Sequence, residues 1–357
     1  MGFNSRVDNQ QITGNQNYIY KNNAPIDIVL PWVDDADLLW QDERDKYASG
    51  YGENPEALNI RFQSWENLHL WFRAIEECMP WYNRIFLITC GQRPDFLDDS
   101  NPRVVLVDHK DFIPDLYLPT FNSNTIEMNI HRIEALSENY ILFSDDVFPL
   151  QYIDEEYYFM NDMVCDEAVE NIISTGSFTS GLKWMRYSQI NNMFIINKYF
   201  KKREVQARHP ELWFNECYEE HLERTRACEY WYDFPGFYDP HMANAMKKSV
   251  LTHLWEIEPK TLDEGSKNRF RGYSDVTQYL VRYWQFCSGN FIPRKTRGKV
   301  YFPTIDTYQD VVDVIDKLSY PMISFNENCS VEEFDIIKRN INVALQRRFP
   351  NKCSFER

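Results

Sequence analysis

Apolar positions in this chain fall into short continuous runs separated by stretches with helical spacing. Ile26 to Val33 predicts a first strand that runs straight into the acidic cluster Asp34, Asp35 and Asp37. A loop over Gly50 to Pro55 follows. Glu56 to Met79 takes on helical periodicity in its later part, where Leu68, Trp71, Phe72, Ile75 and Cys78 recur at three- and four-residue intervals until Pro80 ends the helix. Arg84 to Cys90 predicts a second strand, terminated by Gly91-Gln92-Arg93-Pro94. Val104 to Val107 predicts a third, with Asp108 and His109 at its end. A helix over Thr125 to Leu136 leads into Tyr140 to Phe148, an apolar run that ends abruptly in two adjacent carboxylates and reads as a buried strand delivering Asp145 and Asp146 to the sheet's carboxyl edge. Strands alternating with helices predict a mostly parallel sheet covered on both faces.

After Asp162 the rhythm changes. Glu211 to Glu229, His241 to Glu256 and Tyr273 to Cys287 read as helices, with possible short strands at Ile172 to Ser174 and Phe194 to Ile196. Strand character returns at Val300 to Phe302 and Met322 to Phe325. Val331 to Arg348 closes the chain with a one-faced helix marked by Val331, Phe334, Ile337, Ile341 and Leu345. The pattern therefore predicts an α/β fold with a helical insertion. Residues 1–22 form a polar leader, 23–160 and 296–357 the sheet-bearing core, and 161–295 a mainly helical lid or acceptor subdomain.

Composition narrows the function. A net charge of −16 argues against a nucleic-acid binder, which gains affinity by neutralising phosphates with Lys and Arg, and against passive adhesion to an anionic membrane. The polar leader lacks an apolar secretory core, and no later stretch approaches the roughly 20 apolar residues a membrane helix needs. Eight cysteines without a Cys-x-x-Cys pair predict reduced thiols rather than a zinc site. A cytoplasmic protein is expected, with peripheral association at the membrane's inner face left open.

The candidate chemistry lies where strands end, because ligands of open α/β sheets bind beyond the carboxyl edge. Asp145 and Asp146 repel each other there, and such hard oxygen donors suit Mg²⁺ or Mn²⁺ bridging to a substrate diphosphate. The alternative is that one caps a turn and the other is solvated. Glu127 and His131 stand four apart and would share one helix face behind a turn rich in Asn and Ser, with Ser123 or Asn124 as its cap. His241, after Asp239-Pro240, is expected to open a helix whose dipole keeps the imidazole neutral and able to accept a proton. Arg269 and Arg271 would both face a diphosphate if their segment is a loop, or else pair with surface carboxylates. The aromatic cluster from Tyr230 to Tyr238 is expected mainly to pack the lid, although it could stack sugar rings.

Taken in order, these pieces resemble the four sequence blocks of the Stealth family of capsular polysaccharide and sugar-1-phosphate transferases. The first appears as Ile26-Asp27-Ile28-Val29 and Trp32-Val33-Asp34, with Asp37 and Trp40. The second and most specific runs from Arg61 through Pro80-Trp81, Gly91-Gln92-Arg93-Pro94, Val107-Asp108-His109, Leu118-Pro119-Thr120-Phe121-Asn122-Ser123 and His131-Arg132-Ile133 to Asp145-Asp146-Val147-Phe148. The third is seen in Pro240-His241-Met242 and Arg269-Phe270-Arg271, the fourth in Phe325-Asn326-Glu327 and Phe355-Glu356. Pro31, Asp35, Ala243 and Glu327 depart from the family pattern.

The resemblance implies a Rossmann-like, nucleotide-diphospho-sugar-transferase-like fold. It implies transfer of a sugar-1-phosphate from a UDP-sugar to a hydroxyl of a polysaccharide acceptor, with release of UMP. Asp145 and Asp146 would hold Mg²⁺, Arg269 and Arg271 the diphosphate, and His241 would act as base. Trp32, Asp34, Gln92, Asn122, Ser123, Glu127, His131 and Asn326 would contact the nucleotide sugar. Two alternatives differ in product or class: a metal-dependent glycosyltransferase that releases UDP, and an inactive glycan-binding subunit.

Overall fold

A computed structural model describes residues 21–48, 62–174, 180–326 and 329–357. Most of the leader, the loop at Gly50 to Pro55, Arg61 and Glu327 lie outside them.

Eleven short strands are found among the described residues: β1 (Ile26–Pro31), β2 (Ile85–Thr89), β3 (Val104–Asp108), β4 (Asn139–Leu142), β5 (Val147–Pro149), β6 (Phe159–Met160), β7 (Met163–Asp166), β8 (Asn244–Lys247), β9 (Phe291–Pro293), β10 (Gly298–Tyr301) and β11 (Met322–Phe325). The central sheet has the order β3-β2-β1-β4-β8. Its first four members are parallel, and β8 runs antiparallel along β4. Two three-stranded sheets flank it, β10-β11-β5 and β6-β7-β9.

Both faces of the central sheet are covered, which is why its strands read as nearly unbroken apolar runs. Ile28, Leu30, Leu87 and Ile141 pack with Trp71 and Phe72 of the helix Leu68–Cys78 and with Ile337 and Ile341 of the helix Val331–Arg348. Val29, Phe86, Tyr140 and Leu142 point the other way, toward Leu254 and Phe286 of the helices Lys248–Ile257 and Tyr279–Cys287. Each such side chain contributes about 1.5–3 kcal/mol when fully removed from water. The one polar residue inside β1, Asp27, is fully buried and satisfied by Asn83 Nδ2 at 2.7 Å and the Ser137 amide at 2.8 Å.

The expected α/β sheet and the last helix form as the periodicity indicates; Ser330 and Glu333 close that helix with a reciprocal capping box. The strand from Tyr140 forms as β4 and delivers Asp145 and Asp146 to the carboxyl edge, after which the chain turns and re-enters as β5 in another sheet. Three expectations are corrected. His241 does not open a helix: Asn244–Lys247 is an edge strand and the helix begins at Lys248. Phe194 to Ile196 lies inside the helix Ser180–Tyr199 rather than in a strand. Glu211 to Glu229 is broken into three short turns of helix, the second of them kinked at Glu219, which has a positive φ.

Candidate active site

The strand order places a topological switch point between β1 and β4. There β2 and β3 extend the sheet to one side and β4 to the other, opening a crevice at the carboxyl edge. Val29 of β1 is level with Leu142 of β4, and the Phe143 amide donates to the Val29 carbonyl at 2.9 Å. Beyond β1, Asp35 comes close enough to Asp145 for its charge to act on it, while the Asp34 carboxylate accepts from the Ala36 amide at 3.0 Å within its own turn. β8 runs back along β4 with Asn244 opposite Leu142, so His241, three residues earlier, arrives at the same end. The Phe325 amide donates to the Asp146 carbonyl at 3.2 Å, which delivers Asn326 as well.

Asp146 is buried and is the hub. Its carboxylate lies 3.0 and 3.1 Å from Nε2 of His241, and it accepts a close hydrogen bond from the Asn326 side-chain amide. A proton on Nε2 satisfies this contact and leaves Nδ1 as the acceptor. Burial alone would lower the His241 pKa, but the Asp146 carboxylate, with Glu127 behind it, outweighs burial and raises it. The expectation of a dipole-lowered histidine fails because no helix starts there.

Asp145 is half-buried. Burial first, and then the charge of Asp146, push it up to about 7; Asp35 adds to this and is itself raised by burial. Glu127, in the helix Ser123–Asn129, is likewise pushed up to about 7 by burial, against the opposing charges of Arg271 and His241. Arg271 donates to Ser123 Oγ at 3.3 Å. Asp145, Asp146, His241, Asn326, Glu127, Ser123 and Arg271 thus form one connected group.

Other candidates stand apart or are already committed. Arg269 is committed elsewhere: beside buried Phe270, which stacks on Phe121 at 5.2 Å, its guanidinium donates to the Pro119 carbonyl at 2.5 Å and lies 4.7 Å from the Tyr47 ring centre. Asn122 is fully buried. Its Oδ1 caps the helix at the Asn124 amide, and its Nδ2 donates to the Asn268 carbonyl and to Asp275 Oδ2, so it fastens the arginine loop rather than facing a ligand. Gln92 exchanges hydrogen bonds of 2.8 Å with the Asp34 backbone and reaches Asp37 Oδ2 at 3.1 Å, bracing the loop after β1. Trp32 is half-buried, and its amide extends the ladder to the Ile88 carbonyl. His131 leaves the Glu127 face because the α-helix stops at Asn129 and tightens into a 3₁₀ turn at Ile130–Arg132. Its ring packs against Trp255 at 5.8 Å, and burial pushes its pKa down to about 3.

Two supports carry no signal in the sequence, and a third, Asp35, is marked there only as part of the acidic cluster after the first strand. Asp275 accepts from Asn122, Asn124, Asn268 and the Gly272 amide, fixing the loop that bears Arg271. Asp239, two residues before His241, accepts from buried Arg282 at 3.0 Å, and Arg282 also grips Asp166 at 2.7 and 2.9 Å. Asp35 joins the carboxylates only through strand register. A buried, paired aspartate carries no local spacing signal, so only the position of Asp239 beside Pro240-His241 could have drawn attention to it.

Among the described residues no three His, Cys, Asp or Glu side chains form a ready-made metal cage. Mg²⁺ commonly needs only one or two carboxylates, with phosphate oxygens and water completing its shell. The crowded Asp145–Asp146 pair fits that donor set, because a cation would relieve the repulsion that raises Asp145.

Family models for Stealth conserved region 1 and conserved region 2 match residues 24–52 and 61–166. The capsular polysaccharide phosphotransferase WcwK of Streptococcus pneumoniae is 35% identical over 341 residues, spanning 94% of this chain and 99% of its own. The chain belongs to the Stealth family. The exopolysaccharide phosphotransferase cps2G of Lactiplantibacillus plantarum is 34% identical over 336 residues, covering 93% of this chain and 96% of that one. A solved bifunctional glycosyltransferase, WbbM, overlaps 97% of this chain and 55% of its own at a TM-score of 0.33 and 11% identity. Among the described residues no helix is long and apolar enough to cross a membrane.

Proposed function

We propose that this Stealth protein is a polysaccharide phosphotransferase that moves a sugar-1-phosphate from a UDP-sugar to a glycan hydroxyl and releases UMP. The observation that carries the reading is the His241–Asp146 contact at the switch point, with Arg271 and Asp145 beside it. Family membership supports sugar-phosphate transfer in capsule or exopolysaccharide synthesis.

Phosphoryl transfer asks little covalent chemistry of a protein. It asks for alignment, for cations on phosphate oxygens and for a base. Arg271 would hold the diphosphate, oriented by Ser123 and by the Asp275-pinned loop. Asp145, with Asp146, would hold Mg²⁺ or Mn²⁺, which neutralises phosphate charge. The acceptor oxygen forms its bond to the phosphorus that bears the sugar, and the bond from that phosphorus to the bridging oxygen breaks, so UMP leaves. The hydroxyl proton passes to Nδ1 of His241 while Asp146 holds Nε2–H and stabilises the resulting imidazolium, the division of labour known from His–Asp pairs. Glu127, which burial lets keep its proton up to about pH 7, would in that protonated form donate a hydrogen bond to the nucleotide sugar without adding charge repulsion.

Incubating the protein with a panel of UDP-sugars and Mg²⁺ and identifying the nucleotide product tests this. UMP supports phosphotransfer, and UDP would mean attack at the anomeric carbon instead.

A further inference from the structure

On the outer side of the helical section a cleft of about 320 Å³ opens between the helices Ser180–Tyr199 and Pro259–Ser266, lined by Asn191, Phe194, Lys198, Glu258, Thr261 and Ser274. Its volume is at the small end of ligand-binding clefts. Phe194, which lines it, is 72% exposed and so presents an apolar ring to solvent beside the cleft. Tyr187, Asn191, Phe194 and Lys198 recur at three- and four-residue intervals, so they occupy one helix face. Tyr273, 55% exposed, stands edge-on to Trp184 at 4.8 Å and to Tyr187 at 4.7 Å and continues this aromatic strip toward the arginine loop.

The polar wall of the cleft is already ordered. Buried Glu258 accepts from Tyr199 at 2.7 Å, from Thr261 at 3.1 Å and from Lys198. With Glu264 at the rim, the cleft holds two carboxylates against one ammonium that is already paired, so it disfavours a phosphate or a nucleotide. What it suits is a neutral ring with an apolar C–H face for Phe194 and hydroxyls for the Asn, Glu, Thr and Ser side chains. It is also tied to the proposed active site. Asn191 donates to the carbonyls of Tyr273 at 2.8 Å and Asp275 at 2.9 Å, and Asp275 pins the loop that bears Arg271.

We propose that this cleft and the adjoining aromatic strip are a subsite for an uncharged sugar residue of the acceptor glycan, set back from the hydroxyl that receives the phosphate. The assignment rests on the phosphotransferase reading for the word acceptor, but not for the binding itself. It explains why the phenylalanine is exposed on a face whose neighbours are ordered polar groups.

The test is saturation-transfer NMR of the full chain with methyl glycosides of glucose, galactose, N-acetylglucosamine, N-acetylgalactosamine and rhamnose, each at millimolar concentration. At least one should bind, should not be displaced by UDP, and should bind about tenfold more weakly to Phe194→Ala and to Glu264→Ala. Both residues are exposed, so circular dichroism should report an unchanged fold. The proposal is overturned if none of the glycosides binds, if UDP displaces the bound one, or if both variants bind as well as the parent. It is equally overturned if sedimentation shows a dimer that Phe194→Ala dissolves, since the strip would then be a seam between copies. Glycoside binding in a protein that forms no UMP from any UDP-sugar would sink the phosphotransferase reading and leave the sugar site standing.

Discussion

Nε2 of His241 lies 3.0 Å from Oδ2 of Asp146, joining the end of a parallel strand to the approach of the antiparallel edge strand beside it. This contact commits one imidazole nitrogen and leaves the other for chemistry. His241→Ala should cut turnover by about 10²- to 10⁴-fold, the usual worth of a general base, while UDP-sugar affinity stays nearly unchanged. Calorimetry beside steady-state kinetics checks it. Lost donor affinity with unchanged residual turnover would make His241 a binding residue.

Activity should require a divalent cation, and Asp145 should matter more to its binding than Asp146, whose oxygens already serve His241 and Asn326. Excess EDTA should abolish turnover and added Mg²⁺ or Mn²⁺ restore it. Asp145→Asn should raise the cation concentration needed for half-maximal rate. Full turnover in EDTA would remove the metal from the mechanism.

The two arginines of the Arg269-Phe270-Arg271 segment should behave differently, because Arg269 is bonded to the Pro119 carbonyl while Arg271 stands at Ser123, where its charge acts on Glu127 and His241. Arg271→Ala should weaken UDP-sugar binding by about 1.5–3 kcal/mol, the range for a hydrogen bond to a charged group. Arg269→Ala should instead lower the melting temperature with little effect on donor affinity, since it loses the bond to the Pro119 carbonyl and the Tyr47 contact. Equal losses of donor affinity would show that both reach the diphosphate.

Glu127 makes stability depend on pH. Burial raises it from an ordinary 4.5 to about 7, so the folded state keeps a proton that the unfolded chain gives up. Its stabilising contribution is complete below 4.5 and is lost as pH rises through 7. Glu127→Gln, which keeps a neutral group there at every pH, should therefore stabilise the ligand-free protein above pH 7, by on the order of 1 to 3 kcal/mol, and have little effect at pH 4. Urea unfolding at both pH values measures this. A difference that does not change with pH would place the ionised carboxylate in a solvated position.

The sequence by itself determined the four parallel strands of the central sheet, that this sheet is covered on both faces, and that Asp145 and Asp146 sit at its carboxyl edge. Those properties follow from short-range alternation and from where apolar runs stop, which neighbouring residues specify locally. It also held the ordered blocks that mark the family. Tertiary structure decided the rest. Whether Asn244–Lys247 is a strand or the first turn of a helix depended on pairing with β4, a partner more than 100 residues away in the chain, and local propensity cannot register it. That pairing turned His241 from a helix-start histidine with a lowered pKa into one raised by Asp146. Other long-range contacts gave Asn122 a scaffold task, committed Arg269 to the Pro119 carbonyl, brought Asp35 close to Asp145 and paired Asp239 with Arg282. Each of these outcomes rests on register between distant segments and on burial, and both come into being only when the chain has folded.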